Sequence, residues 1–274
     1  MSKAKSEVGT VEVESQLPAS ISSFEEDGLE FVEDLTSEEI GLPRIKIAVG
    51  TSDNHGTAAK DGEIYNPVTS KVYGEGMLVV PVHFTTSWCE WKSVQGDAPV
   101  NTFYSEKELP PTVRREEKQW REIIQVNGED HPEDNYIGLN HDHYVLIVDP
   151  ETGACESALI AMTNTRIKKS KALNTTVVSQ IAQGANGPFR PPRFAYLYNF
   201  KTIKEQNAKK QLYHNWQITI DRMLDLENTT EQMWYGAAKS FKKAVVAGEV
   251  KVSAEVPEEP SQPATETFEP SPFG

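Results

Sequence analysis

Between Thr163 and Trp216 the chain carries ten Lys or Arg side chains and a single acid, Glu205. The cations are Arg166, Lys168, Lys169, Lys171, Arg190, Arg193, Lys201, Lys204, Lys209 and Lys210. Interleaved with them stand Phe189, Phe194, Tyr196, Tyr198, Phe200, Tyr213 and Trp216. Cations neutralise phosphates, which gives binding a steep salt dependence. Flat rings stack on unpaired bases, at about 1–3 kcal/mol per base. Together they are what a protein needs to hold single-stranded nucleic acid without reading its sequence. Alternation through Phe-Ala-Tyr-Leu-Tyr-Asn-Phe predicts Phe194, Tyr196, Tyr198 and Phe200 on one face of a strand, as a stacking platform. The competing reading of each ring is core, since aromatics are common in strands. The competing reading of Arg166-Ile-Lys-Lys-Ser-Lys is a solvated helix face.

Other candidate chemistry is thinner. His141-Asp142-His143, with Asp130 and His131 nearby, could offer imidazoles to a metal, because both rings of a strand-borne HxH point the same way. No spaced Cys or His set completes such a site. Asp61 or Glu63 with Glu90-Trp-Lys92 resembles the acidic pair and ExK triplet with which nucleases hold Mg²⁺ and orient a water. That triplet is common in any chain. The sequence has no phosphate loop of the GxxxxGK(S/T) type, no GxSxG, no HExxH and no GxGxxG. We therefore expect neither catalysis nor a cofactor, and no resident metal.

The charge distribution sharpens the first reading. The formal net charge of −14 is confined to the ends of the 274-residue chain. Residues 1–42 net −9, residues 252–274 net −5, and the body between them is neutral. Local fields rather than the total decide what a surface attracts, so a polyanion partner is compatible with an acidic pI. No apolar run approaches the roughly 20 residues of a bilayer span, and the N-terminus has no apolar secretory core. Cys89 and Cys155 form no CxxC pair, which suits a reducing compartment.

Composition divides the chain into a disordered acidic arm (1–42), a folded body (43–251) and a disordered acidic tail (252–274). Within the body, alternation predicts strands over Arg44–Val49, Glu63–Tyr65, Lys71–Tyr73, Met77–Phe84 with its continuation to Lys92, Tyr144–Val148 with a hairpin partner at Ala154–Met162, Phe194–Ile203 and Gln211–Ile220. Pro81 predicts an edge or a bulge. Helices are expected over Thr112–Ile124, Thr165–Gln183 and Thr229–Ala247, the last with Asn228 and Glu231 as a capping box and Gly248 as its stop. Asn127–Asp142 reads as a long loop. Many short strands with helical additions give an α+β, mainly β class, as an OB-like open barrel.

Two resemblances add to this. The tail Thr265-Glu-Thr-Phe-Glu-Pro-Ser-Pro-Phe-Gly274 resembles the acidic, Phe-containing tails of bacterial and phage single-stranded DNA-binding proteins. The resemblance implies that Phe268, Glu269 and Phe273 recruit a polymerase, helicase or recombinase, and that the tail competes with DNA for a basic groove. The body segments Leu42-Pro-Arg-Ile-Lys-Ile, Gly62-Glu-Ile-Tyr-Asn-Pro-Val-Thr-Ser-Lys-Val-Tyr, Glu90-Trp-Lys, His143-Tyr-Val-Leu-Ile-Val and Ala158-Leu-Ile-Ala-Met-Thr-Asn-Thr-Arg-Ile-Lys-Lys-Ser-Lys resemble a family of tailed-phage single-stranded DNA-binding proteins of replication and recombination modules. It implies DNA coating in the host-cell cytoplasm, with oligomeric state left open. The alternatives are a phage structural or assembly protein whose acidic ends bind basic partners, and a Mg²⁺ nuclease.

Overall fold

The computed structural model describes residues 41–50, 58–91, 101–103, 106–110, 112–116, 119–126, 129–132, 135–206, 210–250 and 252. The acidic arm to residue 40, the tail from 253, Lys92 and Lys209 lie outside the described residues.

The strands are β1 (Lys46–Ile47), β2 (Ile64–Tyr65), β3 (Val72–Gly74), β4 (Gly76–Trp91), β5 (Asn101–Phe103), β6 (Val113–Glu116), β7 (Gln119–Val126), β8 (Glu129–Pro132), β9 (Tyr136–Val148) and β10 (Cys155–Thr163). Helix α1 (Ile167–Ser179) follows, then β11 (Ala182–Gly184), β12 (Gly187–Phe189), β13 (Tyr196–Gln206), β14 (Leu212–Met223) and helix α2 (Thr229–Ala247). The main sheet runs β14-β13-β4-β9-β7-β6, with β10 on β9, β5 on β4 and β8 on β7. The fold is mainly β, and among the described residues its sheets are open rather than closed into a barrel.

Long antiparallel strands carry the centre. β4 pairs with β9 from Leu78↔Val148 to Trp91↔Tyr136, with a register shift between Pro81 and His83. The bulge accommodates a proline in a central strand, where its missing N–H would otherwise break the ladder. Alternation then fills two cores. Met77, Val79, Val145, Ile147, Ile160, Tyr198 and Phe200 face one way, with Leu173 of α1 and the short strands β1 and β2. Val80, Val82, Leu146, Val148 and Leu197 face the other, with Trp234 and Ala238 of α2.

Helix α2 matches its expected span. Asn228 accepts from the N–H groups of Thr230 and Glu231 at 2.9 and 3.3 Å, and Gly248 closes the helix at φ 76°. The reciprocal half of the capping box is not made. Glu231 instead accepts Asp225 N–H and both terminal nitrogens of Arg222, each at 2.7 Å. Trp234 donates Nε1–H to Gly153 O at 2.8 Å, fastening the helix to the β9–β10 turn.

Two expectations are corrected. Thr112–Ile124 is β6 and β7 rather than a helix, and much of Asn127–Asp142 is β8 and the start of β9 rather than a loop. Val113, Trp120, Ile123, Ile124 and Val126 are strand-favouring residue types, and pairing of β7 with β6, β8 and β9 overrides the helical preference of the charged residues between them. The first helix is also shorter than expected. It ends at Ser179, and residues 182–189 turn back as the β11–β12 hairpin.

Leu42 is buried and forms an isolated parallel bridge with Val252. Residues 42 and 252 therefore lie side by side.

Candidate nucleic-acid interface

The stacking platform does not form. Tyr198, Phe200 and Trp216 are 0–1% exposed within one core, and a ring so enclosed has no face to offer a base. Phe194 lies in a short 3-10 turn before β13 and packs in the opposite core, 5.1 Å from the ring of Tyr235. Tyr196 is half-buried against the first core. The register shift between Leu197 and Tyr198 and the turn at Phe194 break the strict alternation that would align all four rings. Phe194, Tyr198 and Trp216 are thus corrected from stacking candidates to core.

The cations divide as well. Lys169 is paired with Glu205, which also accepts from Asn215 and Tyr213. The Lys169 contact, first among these, holds the Glu205 carboxyl below its ordinary pKa. Arg193 is half-buried, donates to His143 Nδ1 at 3.0 Å and lies over the Phe84 ring. Burial pushes its pKa down to about 10. Lys168, Lys171, Arg190, Lys201, Lys204 and Lys210 are exposed. Lys209, Phe268, Glu269 and Phe273 lie outside the described residues.

One cluster of these groups lines a pocket of about 390 Å³ where β10 passes into α1. Arg166, Lys204, Tyr213, His214, Asp61 and Asn164 are on its wall. Asn164 sits at φ 48° in the 3-10 turn Asn164–Arg166 that leads directly into α1. His214 is fixed by Asp61, whose Oδ2 lies 3.0 Å from Nε2 and whose Oδ1 accepts Gly50 N–H at 3.1 Å. The His214 bond, first among several, lowers the Asp61 pKa. Gly62, at φ 89°, lies so close to the imidazole that an added Cβ would fall 2.3 Å from His214 Cε1. Both its backbone conformation and this contact require glycine.

Beneath α1 lies a polar layer that sequence reasoning touched only through the HxH motif. His141 Nδ1 and His143 Nε2 both lie 2.7 Å from Ser170 Oγ, so the two rings do point the same way. Arginine only donates, so His143 Nδ1 accepts from Arg193 and its proton sits on Nε2. That N–H donates to Ser170 Oγ, and the serine hydroxyl donates to His141 Nδ1. Burial, aided by Arg193, holds His143 well below its ordinary pKa, and burial with Lys171 nearby lowers His141. Burial disfavours the charged form of both imidazoles, and serine and arginine supply their hydrogen-bond partners. No group of three His, Cys, Asp or Glu that could hold a metal occurs among the described residues. On the opposite face Asp142 accepts from Ser87, and burial raises its pKa. The acidic residues of the nuclease alternative are engaged separately: Asp61 by His214, and Glu90 by Asn135 at 2.8 Å.

Arg193–His143–Ser170–His141 is a contact set the sequence did not reveal. The only signal was the i, i+2 spacing of the histidines. Their shared partner lies on a separate helix, and their donor in a turn 50 residues away.

Fold and site together describe a mainly β protein with two covering helices and a cation-rich pocket at the entrance to one of them. Residues 11–251 match the Pam3 phage gp34-like protein family, and the chain belongs to that phage family. No curated protein and no solved structure matches it. No helix among the described residues is long and apolar enough to cross a membrane.

Proposed function

We propose that this protein binds single-stranded DNA without sequence preference during phage DNA replication or recombination, through cations rather than a ladder of rings. The observation that carries the reading is the absence of counter-charge. Arg166, Lys168, Lys171, Arg190 and Lys201 have no acidic partner among the described residues, and the segment's one acid is occupied by Lys169. Uncompensated cations in a body of zero net charge make a local attractor for phosphates. The half-exposed Tyr213 and the exposed Phe189 are the rings left for base contact. An OB-type groove, the host-cell cytoplasm as the place of action, and recruitment of a polymerase, helicase or recombinase by Phe268, Glu269 and Phe273 belong to the same proposal.

Titration of intrinsic tryptophan fluorescence and a gel shift with oligo-dT test it at several salt concentrations. Replacing Lys168 and Lys171 with Ala removes two contacts, and the slope of log affinity against log salt flattens by about 1.4, at roughly 0.7 per single-strand phosphate. Deleting 253–274 leaves or raises DNA affinity. An unchanged slope removes those lysines from the site, and no binding at low salt overturns the reading.

The bridge between Leu42 and Val252 favours a second reading. It brings the origins of two acidic segments together, as a structural or assembly protein that captures basic partners would need. A chain that ignores oligo-dT but binds a basic peptide, and loses that binding with its tail, supports this alternative.

A further inference from the structure

The β11–β12 hairpin stands apart from the main sheet. Among the described residues its two strands pair only with each other, through Ala182↔Phe189, Gln183↔Pro188 and Gly184↔Gly187. Gln183, Ala185, Asn186, Pro188 and Phe189 are exposed, and no residue of the hairpin is buried. Its register puts Phe189 on the same face as Ala182 and Gly184. The ring lies so close to Gly184 that an added Cβ would fall 3.1 Å from Cδ1 and 3.2 Å from Cε1. Small residues thus support one side of the ring, yet Phe189 remains 49% exposed. No ring or cation contact reaches it among the described residues. Phenylalanine is among the side chains most often buried, so a supported ring left open to water calls for a partner.

The chain beside the ring is cationic and anchored. Arg190 follows directly, exposed and without an ion pair among the described residues. No acid stands between Ser157 and Lys204. Pro191 and Pro192 stiffen the exit from the hairpin. Arg193 then fastens it to the sheet, donating to His143 Nδ1 at 3.0 Å and lying over the Phe84 ring. Val178 and Ile181 are also exposed just before the hairpin. The unpaired guanidinium and the acid-free surroundings favour a polyanion over an apolar protein surface.

We propose that the β11–β12 hairpin is a base-stacking finger, in which the open face of Phe189 takes one unpaired nucleobase and Arg190 takes the adjoining phosphate. Every base has a flat face and a phenyl ring has no hydrogen-bonding group, so the contact is indifferent to sequence. The support at Gly184 fixes the plane of the ring before the strand arrives, which lowers the cost of ordering it. This inference rests on the single-stranded DNA reading and deepens it by giving one base a seat apart from the cations of α1.

The test uses the full chain and fluorescence anisotropy with two labelled probes. One is oligo-dT, and the other is an abasic oligodeoxynucleotide of the same length, which keeps the phosphates and lacks the bases. Phe189→Ala and Phe189→Leu are each expected to weaken oligo-dT about tenfold, as for loss of one stacked base. Leucine keeps the apolar bulk and loses the flat face. Phe189→Trp retains or raises the affinity. On the abasic probe all four proteins bind alike. For oligo-dT the slope of log affinity against log salt is unchanged in Phe189→Leu and flattens by about 0.7 in Arg190→Ala, as for one single-strand phosphate. Ile181→Ser leaves oligo-dT affinity unchanged.

Equal oligo-dT affinity in the wild type, Phe189→Ala and Phe189→Leu overturns the finger and leaves the DNA reading standing on its cations. A loss in Phe189→Ala that Phe189→Leu restores, or that persists on the abasic probe, also overturns it, since the ring would then act as packing. Loss of a self-associated species in Phe189→Ala and Ile181→Ser, with DNA affinity unchanged, assigns the patch to a protein contact instead. A wild type that binds neither probe at low salt overturns the DNA reading and the finger with it.

Discussion

The two helices cover opposite faces of the same sheet and could hardly be attached more differently. Helix α2 is capped by Asn228, stopped by Gly248, pinned by Trp234 to Gly153 and tied by Glu231 to Arg222. It buries Trp234 and Ala238 in an apolar core. Helix α1 has no side-chain cap, buries only Ser170 and Leu173, and rests on a polar layer. Asn174 Oδ1 of α1, and Tyr198 OH and Trp216 Nε1 in the core on its side, are buried without a hydrogen-bond partner, as are Asn140 Oδ1 and Asp142 Oδ1 on the other face. None belongs to α2. Orphaned polar atoms in a native fold call for an explanation beyond stability. One helix is a clamp. The other rests on polar contacts, has no side-chain cap and presents exposed cations.

The comparison can be broken at several points. The largest effect is expected for Trp234→Ala, which opens a cavity in the α2 core and leaves Gly153 O without its donor. Denaturant unfolding should show a loss of about 3–5 kcal/mol. If it costs no more than a change in the α1 layer, the clamp description is wrong.

Glu231→Gln comes next. It removes a carboxylate that accepts three short hydrogen bonds, and about 2 kcal/mol should be lost at neutral pH. The bonds to Arg222 hold this carboxyl below the ordinary glutamate pKa. Its contribution is therefore present above the unfolded value and disappears as pH falls through the folded one. The gap between wild type and variant should close in acid, which unfolding curves at pH 7 and pH 3 would show.

Ser170→Ala is expected to cost about 1–2 kcal/mol, because His143 Nε2–H loses its acceptor and His141 Nδ1 its donor. Hydrogen exchange should locate the loosening in α1 and leave α2 amides protected. Equal loosening of both helices would merge the two regions into one cooperative unit.

The smallest effect is a slope. His143 is buried neutral, so below about pH 6.5 the unfolded chain binds a proton that the folded chain refuses. Stability should fall with pH there, by up to about 1.4 kcal/mol per pH unit from this group. His143→Gln should flatten that dependence, measured as unfolding free energy between pH 7 and pH 5. A slope that is unchanged would mean that His143 is not the group refusing the proton.

Much of the fold was legible. The spans of β4, β10, β13, β14 and α2 follow from alternation, turn residues and the Asn228 and Gly248 punctuation. The region from 112 to 142 was misread because charged residues prefer helices in isolation, while strand pairing is decided by partners distant in sequence. Of the candidate site, Arg166 and Lys204 do meet in one pocket, whereas the rings from Phe194 to Trp216 went into two cores. A ring that alternates correctly for a stacking face alternates equally well for a packed one.

By itself the sequence determined where charge resides: acidic ends, a neutral body and a basic segment whose single acid cannot balance it. It also determined most strand and helix positions, since both are local properties of residue type and period. Only the tertiary structure decided which cations are spent on Glu205 and His143, which remain unpaired, and that Asn164, Arg166, Lys204 and His214 share a wall. The reason is physical: burial and electrostatic pairing depend on what the rest of the chain brings within a few ångströms, and periodicity along a strand carries no record of that.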